Sequence, residues 1–182
     1  MTDRELWDQA VAAVTAEYAD LPGSLKEILR EKAVILRQLK GSLHRLAEEM
    51  HGASICAACG GECCVRGKCH VTVVDIIVML VSGVHLSEPR FGRDFCPQLG
   101  ERGCLMSPEF RPFNCITFNC ERVEGLWEPG RIDSFYRLER DLRQHYGELE
   151  QLFDNRFMKG LLMSYERDVL VRQERMLRYA KR

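Results

Sequence analysis

All nine cysteines of this chain lie between positions 56 and 120, and neither flank carries a thiol. Cys56, Cys59, Cys63 and Cys64 fall within nine residues, Cys69 follows, and Cys96, Cys104, Cys115 and Cys120 form a second, looser group. Thiols at that density cross-link, bind metal or assemble an iron–sulfur cluster, and the redox compartment selects among the three. The opening residues, Met1-Thr2-Asp3-Arg4-Glu5-Leu6-Trp7-Asp8, hold no basic stretch followed by an apolar one. No secretory signal is read there, and a cytoplasmic location is expected. No apolar run is long enough to span a bilayer, so no membrane role is expected. Cytosolic thiols stay reduced, and an odd number cannot all pair, so metal or cluster binding is expected ahead of a disulfide scaffold.

Charge points the same way. The formal net charge is −1, which excludes a nucleic-acid binder driven by phosphate neutralisation. Between Cys56 and Arg122 the ordinary charges cancel: Arg66, Lys68, Arg90, Arg93, Arg102, Arg111 and Arg122 against Glu62, Asp75, Glu88, Asp94, Glu101, Glu109 and Glu121. Ionised thiols added to that balance require cations, so metal binding is also an electrostatic need.

The periodicity outside the thiol-rich stretch is helical. Leu6, Ala10, Val11, Val14 and Tyr18 share one face of a helix over residues 3–18, which the Asp20-Leu21-Pro22-Gly23 turn ends. From Ser24 as N-cap, a long helix is predicted to about Met50. Its heptad columns are Leu29, Leu36, Leu43, Met50 and Leu25, Lys32, Leu39, Leu46, with Lys32 as the polar defect. This seam is expected to pack against the other arm of the same chain, with a dimeric coiled coil as the alternative. Residues 132–147 are predicted to form a helix ending near Gly147, and 148–179 a second one whose Arg167, Arg172, Arg175 and Arg178 make a solvated face. In the centre, Thr72 as N-cap and Asp75 at the third helical position open a buried helix over 71–81, although most of that run is β-branched. The chain therefore divides into a helical arm at 1–52, a cysteine-rich metal- or cluster-binding domain at 53–122 and a second helical arm at 123–182, the arms packing as one unit. The expected fold class is mainly α: helical bundle arms flanking a loop-rich cysteine cluster domain.

Thiolate is a soft ligand that selects zinc, copper(I) and iron–sulfur clusters. The Cys56-x2-Cys59 pair lets two sulfurs converge across a tight turn, but the second C-x2-C knuckle of a zinc ribbon is missing. Adjacent Cys63 and Cys64 diverge and suit different centres, or one ligating and one packing position. Cys96-Pro97 echoes the Cys-Pro ending of bacterial cluster motifs. His70, beside Cys69, is a candidate nitrogen ligand, with a surface histidine as the plainer reading.

Cys56-x2-Cys59-Gly60-x2-Cys63-Cys64, then Thr72-x2-Asp75-Ile76, Cys96-Pro97-x-Leu99, Gly103-Cys104-Leu105 and Arg111-Pro112-x2-Cys115-x2-Phe118 resemble, in order, the CxxCxxCC zinc- or iron-chelating family, the YkgJ-type cysteine cluster proteins. The resemblance covers about residues 56 to 120. The chain departs from it in having three residues between Cys59 and Cys63, and Ile116 where an arginine commonly follows the last cysteine. The flagellin lysine N-methylases look similar in this region.

The resemblance implies a metal- or cluster-binding domain. The function expected is that of a cytosolic iron–sulfur protein with one 4Fe-4S cluster in a redox or accessory role, serving a protein partner docked on the helical arms. Cys56, Cys59, Cys63, Cys64, Cys96, Cys104 and Cys115 are its candidate ligands. A structural or chelating zinc protein is the first alternative and a protein-modifying enzyme like the methylases the second. No Walker A, GxGxxG, HExxH or serine-nucleophile motif is present.

Overall fold

The computed structural model describes residues 1–50, 55, 58, 64, 67, 70–85, 89–92, 96–100 and 103–179. The fold is mainly helical. Helix α1 (Asp3–Ala19) opens on a capping box: the Thr2 hydroxyl accepts from Glu5 N at 3.2 Å, and the Glu5 carboxylate accepts from Thr2 N at 2.7 Å. Leu6, Trp7, Ala10 and Val14 make its buried face. Helix α2 (Gly23–Glu49) begins one residue before Ser24, because the carbonyl of extended Pro22 takes the first amides, Leu25 N and Lys26 N. Its buried stripe is Leu25, Leu29, Ala33, Leu36, Lys40 and Leu43, in helical steps of three and four.

That stripe corrects the expected polar defect. Lys32 sits at the border of the helix face and pairs with Glu148, whereas Lys40, one turn beyond Leu36, is fully buried. Helix α3 (Val73–Val81) forms as predicted, with Thr72 as N-cap, Asp75 closing the capping box, and Gly83 at φ 65° after the C-cap Ser82. Every residue from Val73 to Met79 is buried, and enclosure on all sides outweighs the β-branched preference for strand. A two-residue antiparallel pair follows, β1 (Leu99–Gly100) with β2 (Gly103–Cys104), then a 3₁₀ turn at Pro108–Phe110 and the short helices α4 (Phe113–Thr117) and α5 (Glu121–Glu124).

Helix α6 (Pro129–Leu152) runs through Gly147 instead of stopping there. Glycine inside a helix costs about 1 kcal/mol. Burying a leucine contributes about 1.5–3 kcal/mol, and Tyr146 and Leu149 are both buried around it. The helix ends beyond Leu152, where Asp154 turns to φ 46° and Asn155 N reaches back to Glu150 O at 2.9 Å.

The expected long helix over 148–179 does not form. A 3₁₀ turn (Phe157–Lys159), then α7 (Leu161–Tyr165) and a π-helical turn (Glu166–Val171) take its place, with Gly160 at φ 90° separating the first from the other two. Buried Asn155 draws the tail back, donating to Asp168 Oδ2 at 3.1 Å and Met176 O at 2.6 Å. The Glu17 carboxylate then accepts from Met176 N and Leu177 N, which seats both of those residues in the core. The arginines are correspondingly not a simple solvated face: Arg167, Arg172 and Arg178 surround buried Asp168, and Arg175 reaches Asp20.

Helices α2 and α6 pack antiparallel, since Lys32 meets Glu148 near one end and Glu49 meets Arg131 at 2.7 Å near the other. The α2 seam is thus used within the chain, as expected. One apolar core draws on α1, α2, α3, α6 and α7 together.

At its centre lies a buried ion pair. Lys40 Nζ donates to Asp75 Oδ1 at 2.8 Å, and both side chains are fully enclosed. The Tyr146 hydroxyl donates to the same oxygen at 2.5 Å, while Thr72 N and Oγ1 donate to Oδ2 at 2.9 and 2.7 Å. Burial first, then the Asp75 charge, push the Tyr146 hydroxyl well above its ordinary pKa, so it stays a donor.

Removing one partner strands the other charge. Lys40→Ala and Asp75→Ala should each cost about 3–5 kcal/mol in urea denaturation, and Lys40→Met with Asp75→Leu should recover much of that loss. Single-variant costs under about 1 kcal/mol would show that the pair is not enclosed in solution. A second prediction concerns acid. The hydrogen bond from Lys32 leads the interactions that hold the Glu148 carboxyl at a pKa of about 2, below its ordinary 4.5. Its contribution is present above the ordinary value and lost as pH falls through the lowered one. Glu148→Gln should therefore melt below the wild type at pH 7, with the gap closing toward pH 2. A gap independent of pH would remove the charge from the explanation.

Candidate metal centre

The buried pair positions the thiols from beneath. Tyr146, held by Asp75, meets the fully enclosed Phe113 edge-on with ring centroids 5.3 Å apart, and the Arg143 guanidinium lies 4.8 Å from the Phe113 ring centroid. Phe113 opens α4, which carries Cys115 two residues later. On the approach from β2, Arg111 Nε donates to Met106 O at 3.2 Å, so Arg111 anchors the loop between Cys104 and Cys115. Arg37 of α2 grips Glu109 at 2.7 Å and lies 5.0 Å from the Phe110 ring centroid, fixing the same loop to the helical body.

Cys96 is half-buried, and its sulfur accepts from Gln98 N at 3.4 Å. Amide donors of this kind stabilise thiolate sulfur and tune a bound metal. Arg90 N to Pro97 O at 2.8 Å and Leu105 N to Gln98 O at 2.8 Å hold this turn against β2, at whose end Cys104 is exposed.

Two contacts fold the first cysteine segment onto the second. A Cβ on Gly67 would lie 2.3 Å from Cys96 Sγ, so the backbone at 67 approaches that sulfur as only glycine permits. His70, turned by its N–H to Gly67 O at 3.1 Å, places Nδ1 3.3 Å from Cys115 Sγ. Val71 O accepts from Leu161 N at 2.6 Å and pins the turn that presents His70.

Electrostatics couple Cys115 to the neighbouring sulfurs. Burial, then the charges of Cys96, Cys104, Asp75 and Cys64, raise the Cys115 thiol far above its ordinary pKa. Burial also raises Cys96, with Cys104 adding to it. Cys115 is exposed at its surface, yet protein surrounds the sulfur closely enough for desolvation to lead; a thiol at the bottom of a concavity satisfies both. Burial likewise lowers His70, favouring neutral imidazole. Neutral thiols are what such crowding yields by itself, and a bound cation reverses that preference.

Of the candidate ligands, Cys64, Cys96, Cys104 and Cys115 lie within the described residues, and the charges of the first three act on Cys115. Cys56, Cys59 and Cys63, together with Cys69, lie outside the described residues. Among the described residues, no three His, Cys, Asp or Glu side chains are grouped closely enough to hold a metal ion. The donor set fits a soft metal or cluster in chemistry, through its sulfurs, the amide on Cys96 and the glycine that clears its approach. Cys120 is half-buried against the core. Asp75 serves as the helix cap that its position after Thr72 implied, and also as an ion-pair partner that the sequence did not indicate.

No protein-family model, curated protein or solved structure matches the chain.

The sequence offers His70 as a candidate nitrogen ligand with a surface histidine as the plainer reading, and the structure adds its contact with Cys115. The available signal was its place beside Cys69, in the segment that must return to the second group. Lys40 and Tyr146 gave no local signal, since each reads as an ordinary position on an amphipathic helix.

Gly67→Ala should displace Cys96, because the added methyl overlaps its sulfur and Cβ. The expected outcome is a substantial loss of bound metal per chain at nearly unchanged helical circular dichroism. Full metal content in the variant would show that the two segments do not close this tightly.

Proposed function

We propose that this chain is a metal-binding cysteine cluster protein holding one iron–sulfur cluster of the 4Fe-4S type, with a redox or accessory role. The observation that carries this reading is the closure of the first cysteine segment onto the second, through Gly67 against Cys96 and His70 against Cys115. Closure of this kind is what one shared centre requires, and two independent sites do not need it. Cys96, Cys104 and Cys115 would supply ligands from one side, and Cys56, Cys59, Cys63 and Cys64 from the other. The cluster would supply one-electron chemistry. The chain's own residues would position the sulfurs, exclude water beneath Cys115 and donate an amide to Cys96.

The YkgJ-type family resemblance supports the same reading, and its methylase-like relatives keep a protein-modifying role as a further alternative. A chelating or structural zinc site is the second reading, favoured by the nitrogen of His70 beside Cys115, since mixed sulfur and nitrogen donors suit zinc. Leu105 and Phe118, exposed next to Cys104 and three residues beyond Cys115, would give a partner protein an apolar contact at the site, alongside docking on the helical arms or self-association as a dimer. No helix among the described residues is long and apolar enough to cross a membrane. A cytoplasmic setting with reduced thiols belongs to this proposal.

Purification without oxygen, followed by iron, sulfide and zinc analysis, decides between the readings. A brown protein with iron and acid-labile sulfide in equal amounts is expected, and Cys96→Ser or Cys115→Ser should each bleach its visible absorption. A colourless protein with one zinc and no sulfide would replace the cluster with the zinc reading. Unchanged spectra in both variants would separate the two cysteine groups.

A further inference from the structure

A polar cleft of about 610 Å³ opens where the end of α6 meets the turns after it. Its walls hold the cations Arg156, Lys159, Arg167, Arg172 and Arg178, with Glu150 and Asp154 as the lining acids. Asp168 lies beneath, fully buried; Arg167 holds its carboxylate at 2.6 Å, and Arg178 and Arg172 stand at 3.5 and 3.7 Å. Asn155, also buried, accepts from Arg167 and donates to Asp168, fixing the guanidinium in one plane. Arg178 is further paired with Glu174 at 2.7 Å. Even with Asp168 and Glu174 included, cations exceed acids. Neither Arg156 nor Lys159 pairs with an acidic side chain among the described residues.

The backbone around the cleft is costly to maintain. Asp154 at φ 46° and Gln173 at φ 54° are the only non-glycine residues with positive φ among the described residues, and they bracket Arg156, Lys159, Arg167 and Arg172 in sequence. Between them lies the π-helical turn Glu166–Val171, which carries Arg167 and Asp168. Left-handed non-glycine residues and π turns concentrate at functional sites, because strain persists where a required arrangement demands it. A core needing only to terminate a helix would not require a carboxylate that orders three guanidinium groups toward a cleft.

We propose that this cleft is a binding site for a small anionic molecule carrying two phosphate or carboxylate groups. Arg172, with the remaining N–H donors of Arg167 and Arg178, would receive one group, and Arg156 with Lys159 the other. The volume lies in the range of small-molecule sites and exceeds what a single inorganic ion fills. The site is separate from the thiols in its residues and its chemistry.

Gly147 gives the proposal a clean test. It lines the cleft in the middle of α6, and a Cβ there would meet nothing within 4 Å. Gly147→Glu therefore keeps the helix while placing a negative charge among the cations. Calorimetric titration of the full chain with pyrophosphate, and separately with citrate, at fixed ionic strength should show saturable one-to-one binding by at least one of them. Preference between the two identifies the anion class. Gly147→Glu should abolish binding with thermal stability retained, and Arg156→Ala should weaken it about tenfold or more. Cys115→Ser should bind as the wild type does, separating the cleft from any chelation at the thiols. Absence of saturable binding by both probes, binding unchanged in Gly147→Glu and Arg156→Ala, or binding lost in Cys115→Ser would overturn the proposal.

Discussion

One buried carboxylate organises this molecule. Asp75 ends the first turn of α3, neutralises Lys40 of α2 and receives the Tyr146 hydroxyl of α6, so three helices share a single acceptor. Desolvating such a pair costs several kcal/mol per ion, and its geometry must be complete to offset this. It is complete: four donors occupy the two oxygens of Asp75. A purely apolar contact would tolerate sliding of α2 along α6, whereas this arrangement specifies one register. The thiol region inherits that register through Tyr146, Phe113 and α4.

Much of this was legible in the sequence wherever the signal was local. The α1 helix, the long α2 helix and the Thr72–Asp75 start of α3 follow from spacing, caps and turn residues, because those act within a few positions. The identity of the buried charge did not. Lys32 and Lys40 are both lysines on the same helix, and only the distant Asp75 decides which of them is enclosed. The C-terminal stretch misled for the same reason. Its apolar spacing suits a long helix, but Asn155, Asp168 and Glu17 capture backbone and side-chain groups from far along the chain and bend it back.

The candidate site divides along the same line. Soft-ligand chemistry is the expectation that cysteine density alone carries, and the return of the later cysteines is part of that expectation. The partners that shape the sulfurs were not readable: an amide from Gln98, the bare backbone of Gly67 and the imidazole of His70 come together only by tertiary closure. The arginines of the last stretch show the opposite case. Their number was visible, but their convergence on one buried aspartate depends on a π turn that no simple periodicity encodes.

The clasp formed by Glu17 on Met176 and Leu177 has a consequence for the order of events during synthesis. Helix α1 is made well before Met176 and Leu177, which its Glu17 holds. All nine cysteines lie in sequence between the two halves of this clasp. The helical body therefore closes only after every cysteine has been synthesised.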